Sequence, residues 1–164
     1  MLNATVQQAL NDQIQKEFHS AYIYLSMSAY FEAENLTGAA SWMRKQAGEE
    51  QEHALKIFDF ILDRGGHVAL QAISQPAAEY ASSLAVFEDA YAHERKVTQS
   101  IHDLYALALR ENDYPTQVML QWFIDEQVEE EKTSSAIMAQ LKMVGDSPAA
   151  LLMIDRQLAA RAGG

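Results

Sequence analysis

Four stretches of this chain read as long amphipathic helices, and each carries an ionisable side chain midway along its apolar face. No other feature limits the fold so strongly. An amphipathic helix has to bury its stripe against partners, and acids carried into that interior must then be neutralised. The first stretch runs from about Thr5 to Glu34, with Asn3 or Thr5 as cap and Asn35 as stop. The second starts after Thr37 and ends at Gly65-Gly66. The third opens near Ser82-Ser83 and fades at Asn112-Asp113, and the fourth begins at Pro115 and stops at Gly145. A short fifth helix is expected over about 147–160, after Asp146-Ser147-Pro148.

At about 27–30 residues each, the long helices extend ~40–45 Å. The links between helices one and two and between three and four are only a few residues, so those pairs are antiparallel neighbours. The link from Gly66 to Ala81, containing Pro76, is much longer. About sixteen extended residues can run the full length of a bundle. The expected fold class is therefore all-α: two hairpins joined by one long crossover, plus the short C-terminal helix, in a single domain over residues 1–164.

The apolar faces are interrupted in register. Val6, Leu10, Ile14, Ala21, Leu25 and Ser28 surround Glu17, while Met43, Ala47, Ile57 and Phe60 surround Glu50 and His53. Leu84, Phe87, Tyr91, Ile101 and Tyr105 bracket Glu94, and Leu120, Phe123, Ile137 and Leu141 bracket Gln127 and Glu130. Four ionised carboxylates in one interior cost several kcal/mol each in desolvation, and their mutual repulsion adds to that. The stripes hold no lysine or arginine, and one imidazole cannot balance four acids. Either the acids hold protons or cations neutralise them, and bound metal is the better explanation. Glu50 and His53, at i and i+3, point to one place from adjacent turns, the spacing used by di-iron carboxylate sites in helical bundles.

Composition narrows the functional classes. With no cysteine, the 164 residues cannot form disulfides, thiolate zinc sites or iron–sulfur clusters. A formal charge of −11 disfavours nucleic acid and anionic membranes as partners and favours cations. The N-terminus has no signal-peptide pattern and no window approaches a membrane span, so a cytoplasmic location is expected.

The segment Glu49–Ala54 (EEQEHA), Glu17 with Tyr24 two turns on, Glu94, and Trp122–Glu131 (WFIDEQVEEE) together resemble the non-haem bacterial ferritins, over nearly the whole chain. The resemblance implies a ferritin-like four-helix bundle and iron storage with ferroxidase activity, oxidising Fe(II) to Fe(III) with O2 or H2O2. It implies that Glu17, Glu50 and His53 hold one iron, and that Glu50 bridges to a second held with Glu94 and Glu130. Gln127 would complete the metal site as a hydrogen-bonding or oxygen-orienting group, and Tyr24 as hydrogen-bond or electron donor. Glu49, Glu126 and Glu129, with Glu130 shared, match a third iron site, although alone they read as a solvated acidic face. The resemblance further implies a homo-oligomeric shell of 24 subunits around ferric mineral, with no haem.

The nearest rival is haem-containing bacterioferritin, but Gln51 stands where its haem-ligating methionine would be, and Gln127 with Glu130 replaces its second E-x-x-H. Another di-metal carboxylate oxidase shares the same ligand logic. Trp122 reads as packing, and His19, His93 and His102 as surface or interface histidines. Leu55, Phe58 and Leu62 widen the apolar face of the second helix, which points to a broad core or a subunit contact.

Overall fold

A computed structural model describes residues 1–162 of the chain; residues 163 and 164, part of the expected domain, lie outside the described residues. The described residues form five helices and no strand: α1 (Ala4–Ala33), α2 (Thr37–Asp63), α3 (Ser83–Arg110), α4 (Tyr114–Val144) and α5 (Pro148–Ala162). The expected boundaries hold to within a few residues.

Local chemistry sets the ends. Asn3 caps α1, its side chain accepting the Thr5 and Val6 amides at 2.7 and 3.4 Å. Ser82 caps α3 and Asp113 caps α4, accepting from Ala85 and Thr116 respectively. Three helices terminate the same way. Asn35, Gly65 and Asn112 take positive φ (60°, 67° and 54°). The following amides reach back to Phe31, Ile61 and Ala108 carbonyls at 2.8–2.9 Å. The start of α2 differs, because Leu36 offers it no side-chain cap. Asp155, far away on α5, accepts the Ala39 amide at 2.8 Å instead.

Cross-helix contacts give the topology. Gln13–Ser100, Tyr24–Glu94 and Phe31–Phe87 set α1 antiparallel to α3, while Gln46–Glu130, His53–Trp122 and Arg64–Asp113 set α2 antiparallel to α4. The crossover lies along α1 in the same direction, held by Gln7 to His67, Asn11 to His67 and Ala69, and Ser26 to the Ala77 carbonyl. Among the described residues no helix is long and apolar enough to cross a membrane.

The apolar interior falls into two clusters. One, around Tyr24, Trp42, Phe87 and Leu141, is closed off by Ile154 and Leu158 of α5; the other surrounds Leu10, Ile57, Ile101 and Phe123. A polar layer lies between them. The two seams crossing that layer differ in width: α1 and α3 approach closely, whereas no Cα of α2 comes within 8 Å of a Cα of α4. Side chains alone bridge the wider seam.

Two expectations are corrected here. Leu25 is 46% exposed, and Tyr24, seven residues after Glu17, is the buried residue at that level, since α1 keeps seven-residue spacing through Leu10, Glu17, Tyr24 and Phe31. On α3 the inward face is Phe87, Ala90, Glu94, Val97 and Ile101, with Leu84, Tyr91 and Tyr105 at its margins. Leu55 and Leu62 are exposed together with Tyr22 and Leu70, so they extend no core within the single chain.

Candidate metal centre

The mid-length acids arrive in the polar layer from all four long helices. Glu17, Glu50, Glu94 and Glu130 are each no more than 6% exposed, and His53 is 5% exposed. Donor atoms of Glu17, Glu50 and His53 lie within 4.8 Å of one another, as do those of His53, Glu126 and Glu130. His53 belongs to both groups, and its two nitrogens face different acids. Its Nδ1 is 3.3 Å from Glu50 Oε2 and 3.9 Å from Glu17 Oε2, and its Nε2 is 3.9 Å from Glu126 Oε2. The ring is wedged edge-on between Trp122 and Phe123, with centroids 5.2 and 5.9 Å away.

Neutral donors hold oxygens of three of the four acids. Glu94 accepts the Tyr24 hydroxyl on one oxygen and the Gln127 amide, at 3.1 Å, on the other. The same Gln127 nitrogen is 3.1 Å from Thr98 Oγ1. Glu17 Oε1 accepts from Gln13 and Glu130 Oε2 from Gln46, both at 2.8 Å. Glu17 Oε2 and Glu50 Oε2 have no hydrogen-bond partner at all.

Charge is badly matched in this layer. Burial, followed by the Glu50 charge, raises the Glu17 pKa well above the ordinary carboxyl value. Burial and then the Glu94 charge raise Glu50 in the same way. Burial raises Glu94 against the opposing pull of the Tyr24 hydroxyl and Gln127. Glu130 is pushed up to about 7 by burial and the Glu94 charge. Tyr24 is raised well above its usual value by burial and by the charge of Glu94. A cluster of this kind holds protons at neutral pH or exchanges them for cations.

The layer opens to solvent at the wide seam. A cleft of about 570 Å³ there is lined by Glu49, Glu52, His53, Lys56, Trp122 and Glu126. Lys56 Nζ sits 4.4 Å over the Trp122 ring, covering the indole that backs His53. Glu126 is half-buried at the mouth and Glu49 is partly covered, whereas Glu129 is exposed and joins neither donor group.

Sequence reasoning missed Gln13, Gln46 and Ser100. A signal was present for the glutamines: each stands four residues before an inward glutamate, on a face that is otherwise apolar. Of the histidines taken as surface or interface residues, His93 is half-buried, with Nε2 2.7 Å from Ser20 Oγ. Burial, His19 and Lys96 push its pKa down to about 4.

Known proteins share this fold. The family model for the ferritin-like domain matches residues 7–144. A bacterial non-heme ferritin of Staphylococcus epidermidis is 42% identical over 161 residues, spanning 98% of this chain and 97% of that one. One from Staphylococcus aureus is 38% identical over the same span. Among solved structures, an open-pore ferritin from the hyperthermophilic archaeon Archaeoglobus fulgidus superposes with a TM-score of 0.96 at 45% identity, covering 97% of this chain and 98% of its own. With a family match across most of its length, and acids from four helices converging between two apolar clusters, this chain belongs to the ferritin family, among the bacterial non-haem ferritins.

Proposed function

We propose that this protein stores iron, and that each subunit is a ferroxidase that takes up two Fe(II) ions as substrate and oxidises them to Fe(III) with O2 or H2O2. The carrying observation is the pair of buried, unpartnered oxygens, Glu17 Oε2 and Glu50 Oε2, facing the Nδ1 of His53. Buried lone pairs without donors are costly, and in an interior without lysine or arginine a divalent cation is the fitting partner.

In this reading Glu17, Glu50 and His53 hold one ion and Glu94 with Glu130 holds the other, Glu50 lying between them. Gln127 turns its amide nitrogen toward Glu94, so it acts by donating a hydrogen bond and fixing that carboxylate. Tyr24 does the same from the opposite side. The closely spaced carboxylates stabilise the product more than the reactant, because a higher ionic charge is better neutralised by them. Each Fe(II) gives up one electron; with O2 as acceptor, two electrons and two protons yield H2O2. Fe(III) then leaves along the acidic mouth, where Glu126, Glu49 and Glu129, with Glu130 shared, offer a weaker third position. The mineral collects inside a cytoplasmic shell of 24 subunits that carries no haem, and the exposed Tyr22, Leu25, Leu55, Leu62 and Leu70 supply a face for subunit contact.

The test is aerobic Fe(II) addition to the assembled protein and to His53→Ala and Glu130→Ala. Both variants should keep the helical circular dichroism and oxidise iron at least about 100-fold more slowly. Parent-like rates in both would refute the ligand assignment, and retention of only about two irons per subunit would favour an oxidase without storage. For the third position, Glu126→Ala should change the iron-to-oxygen ratio more than Glu129→Ala, since only Glu126 reaches the His53 group.

A further inference from the structure

Two glutamines, Gln13 on α1 and Gln46 on α2, are each only 1% exposed, yet neither belongs to the ligand set proposed above. A buried primary amide is costly unless its polar ends are paired, and a leucine of similar volume would be cheaper at either position. Their contacts account for their presence. Gln13 Nε2 donates to Glu17 Oε1 at 2.8 Å, and its own Oε1 accepts the hydroxyl of Ser100, on α3, at 2.9 Å. The serine therefore fixes which end of the amide faces the acid. Gln46 Nε2 donates to Glu130 Oε2 at 2.8 Å, spanning the wide seam between α2 and α4.

The two bonds are alike in three respects. Each donor is neutral, so it orients a carboxylate without supplying the positive charge that would replace a cation there; lysine or arginine would supply it. Each engages a single oxygen of its acid. In Glu17 the other oxygen, Oε2, is the one left without a partner and close to His53. And the two amides divide the centre between them, Gln13 serving the half with Glu17, Glu50 and His53, and Gln46 the half with Glu94 and Glu130.

We propose that Gln13, oriented by Ser100, and Gln46 are positioning residues that each tie one oxygen of one terminal carboxylate, so that each sets the affinity for one ion of the pair and not for the other. This deepens the two-ion reading and rests on it. Pinning one oxygen fixes the carboxylate rotamer before the ion arrives, so binding does not have to order it.

The experiment uses the assembled protein and Co(II) under anaerobic conditions, following binding by calorimetry and locating the metal by anomalous diffraction at one equivalent per subunit. The parent should bind two ions tightly. Gln13→Leu should weaken one ion about 10–100-fold and leave the other within about threefold. Its first equivalent should then lie at Glu94 and Glu130. Gln46→Leu should give the mirror result, with the first equivalent at Glu17, Glu50 and His53. Ser100→Ala leaves both amides in place and should weaken the same ion as Gln13→Leu, by less, which keeps the test open if a leucine variant does not fold. A merely structural role would not move opposite halves in the two variants. Equal weakening of both ions in each variant, or no weakening in any, would overturn the assignment. A parent that binds no pair of ions would overturn the reading of the centre and this inference with it.

Discussion

Asp155 on α5 caps α2 from a separate part of the chain: its Oδ1 accepts the Ala39 amide at 2.8 Å, where Leu36 has no capping side chain to offer. The N-terminus of α2 carries partial positive charge and unpaired amides, so a carboxylate there is favourable twice over. The short C-terminal helix thereby becomes part of the helix that carries Glu50 and His53.

Removing that cap by Asp155→Ala should cost about 1 kcal/mol and loosen α5. Arg161 of α5 lies over the Trp42 ring at 5.0 Å, so loosening should red-shift tryptophan fluorescence and speed proteolysis of the C-terminal helix. Gly38→Ala should be worse, because its Cβ would fall 1.9 Å from the Asp155 carbonyl oxygen, which belongs to backbone and cannot swing aside. Unchanged fluorescence in both variants would show that α5 is held by its apolar contacts alone.

Tyr24→Phe removes the hydroxyl that donates to Glu94 while preserving the ring packed edge-on against Trp42. Stability should change by about 1 kcal/mol at most, as for one hydrogen bond. Iron oxidation should slow by about tenfold, because the Tyr24 bond favours the charged form of Glu94 and fixes its orientation. Stopped-flow rates equal to the parent's would remove Tyr24 from the mechanism.

Cation binding should release protons, and more of them at pH 6 than at pH 8. Glu130 is pushed up to about 7, and Glu17 and Glu50 are raised well above the ordinary carboxyl range, so below neutrality an arriving ion displaces protons from them. A carboxyl with a raised folded pKa holds its proton in the native state where the unfolded chain has lost it. The stability it contributes is complete below about pH 4.3 and is lost as pH rises through the folded value. The metal-free protein should therefore melt lower at pH 8 than at pH 5.5, and Co(II) should raise the melting temperature more at pH 8. Co(II) calorimetry in buffers of differing ionisation enthalpy counts the protons; none released at pH 6 would contradict the charge state described for the layer.

Asp113 behaves in the opposite sense. Burial pushes its pKa up, but the hydrogen bonds from Arg64, at 2.9 Å, and from Thr116 outweigh burial and hold it below its usual value. Its contribution is present above about pH 4 and is lost as pH falls through the lowered folded value. Asp113→Ala loses both the cap of α4 and the Arg64 pair, about 1–2 kcal/mol at pH 7, while Asp113→Asn keeps a capping oxygen and should lose less. The gap between parent and Asp113→Ala should narrow below pH 4; a constant gap down to pH 3 would argue against the ion pair.

Much of this was legible in the residues. Periodicity placed five helices, and Asn35, Gly65, Ser82 and Gly145 marked ends because each has backbone or capping chemistry that acts locally. Glu17, Glu50, His53, Glu94 and Glu130 were legible because an ionisable group amid leucines and phenylalanines is conspicuous in any helical projection. Long-range contacts were not legible. A linear pattern does not show that Asp155 reaches Ala39 or that Gln46 reaches Glu130, since each depends on how separate helices are rotated and spaced. Leu25 reads inward from its four-residue step after Ala21, but the buried series keeps seven-residue spacing through Glu17, Tyr24 and Phe31 and leaves Leu25 outside. His93 reads as a surface or interface histidine because it lies off the ligand stripe; the crossover residues beside it are far off in the chain.

The crossover also determines how the polypeptide divides. It is the long covalent tie between two helical hairpins, and Glu17, Glu50 and His53 lie on one while Glu94, Gln127 and Glu130 lie on the other. Neither hairpin alone carries all of the proposed ligands. A chain cut within residues 70–75, in the strap on the surface of α1, would become two complementary fragments, and iron itself would act as the adhesive drawing them into one bundle.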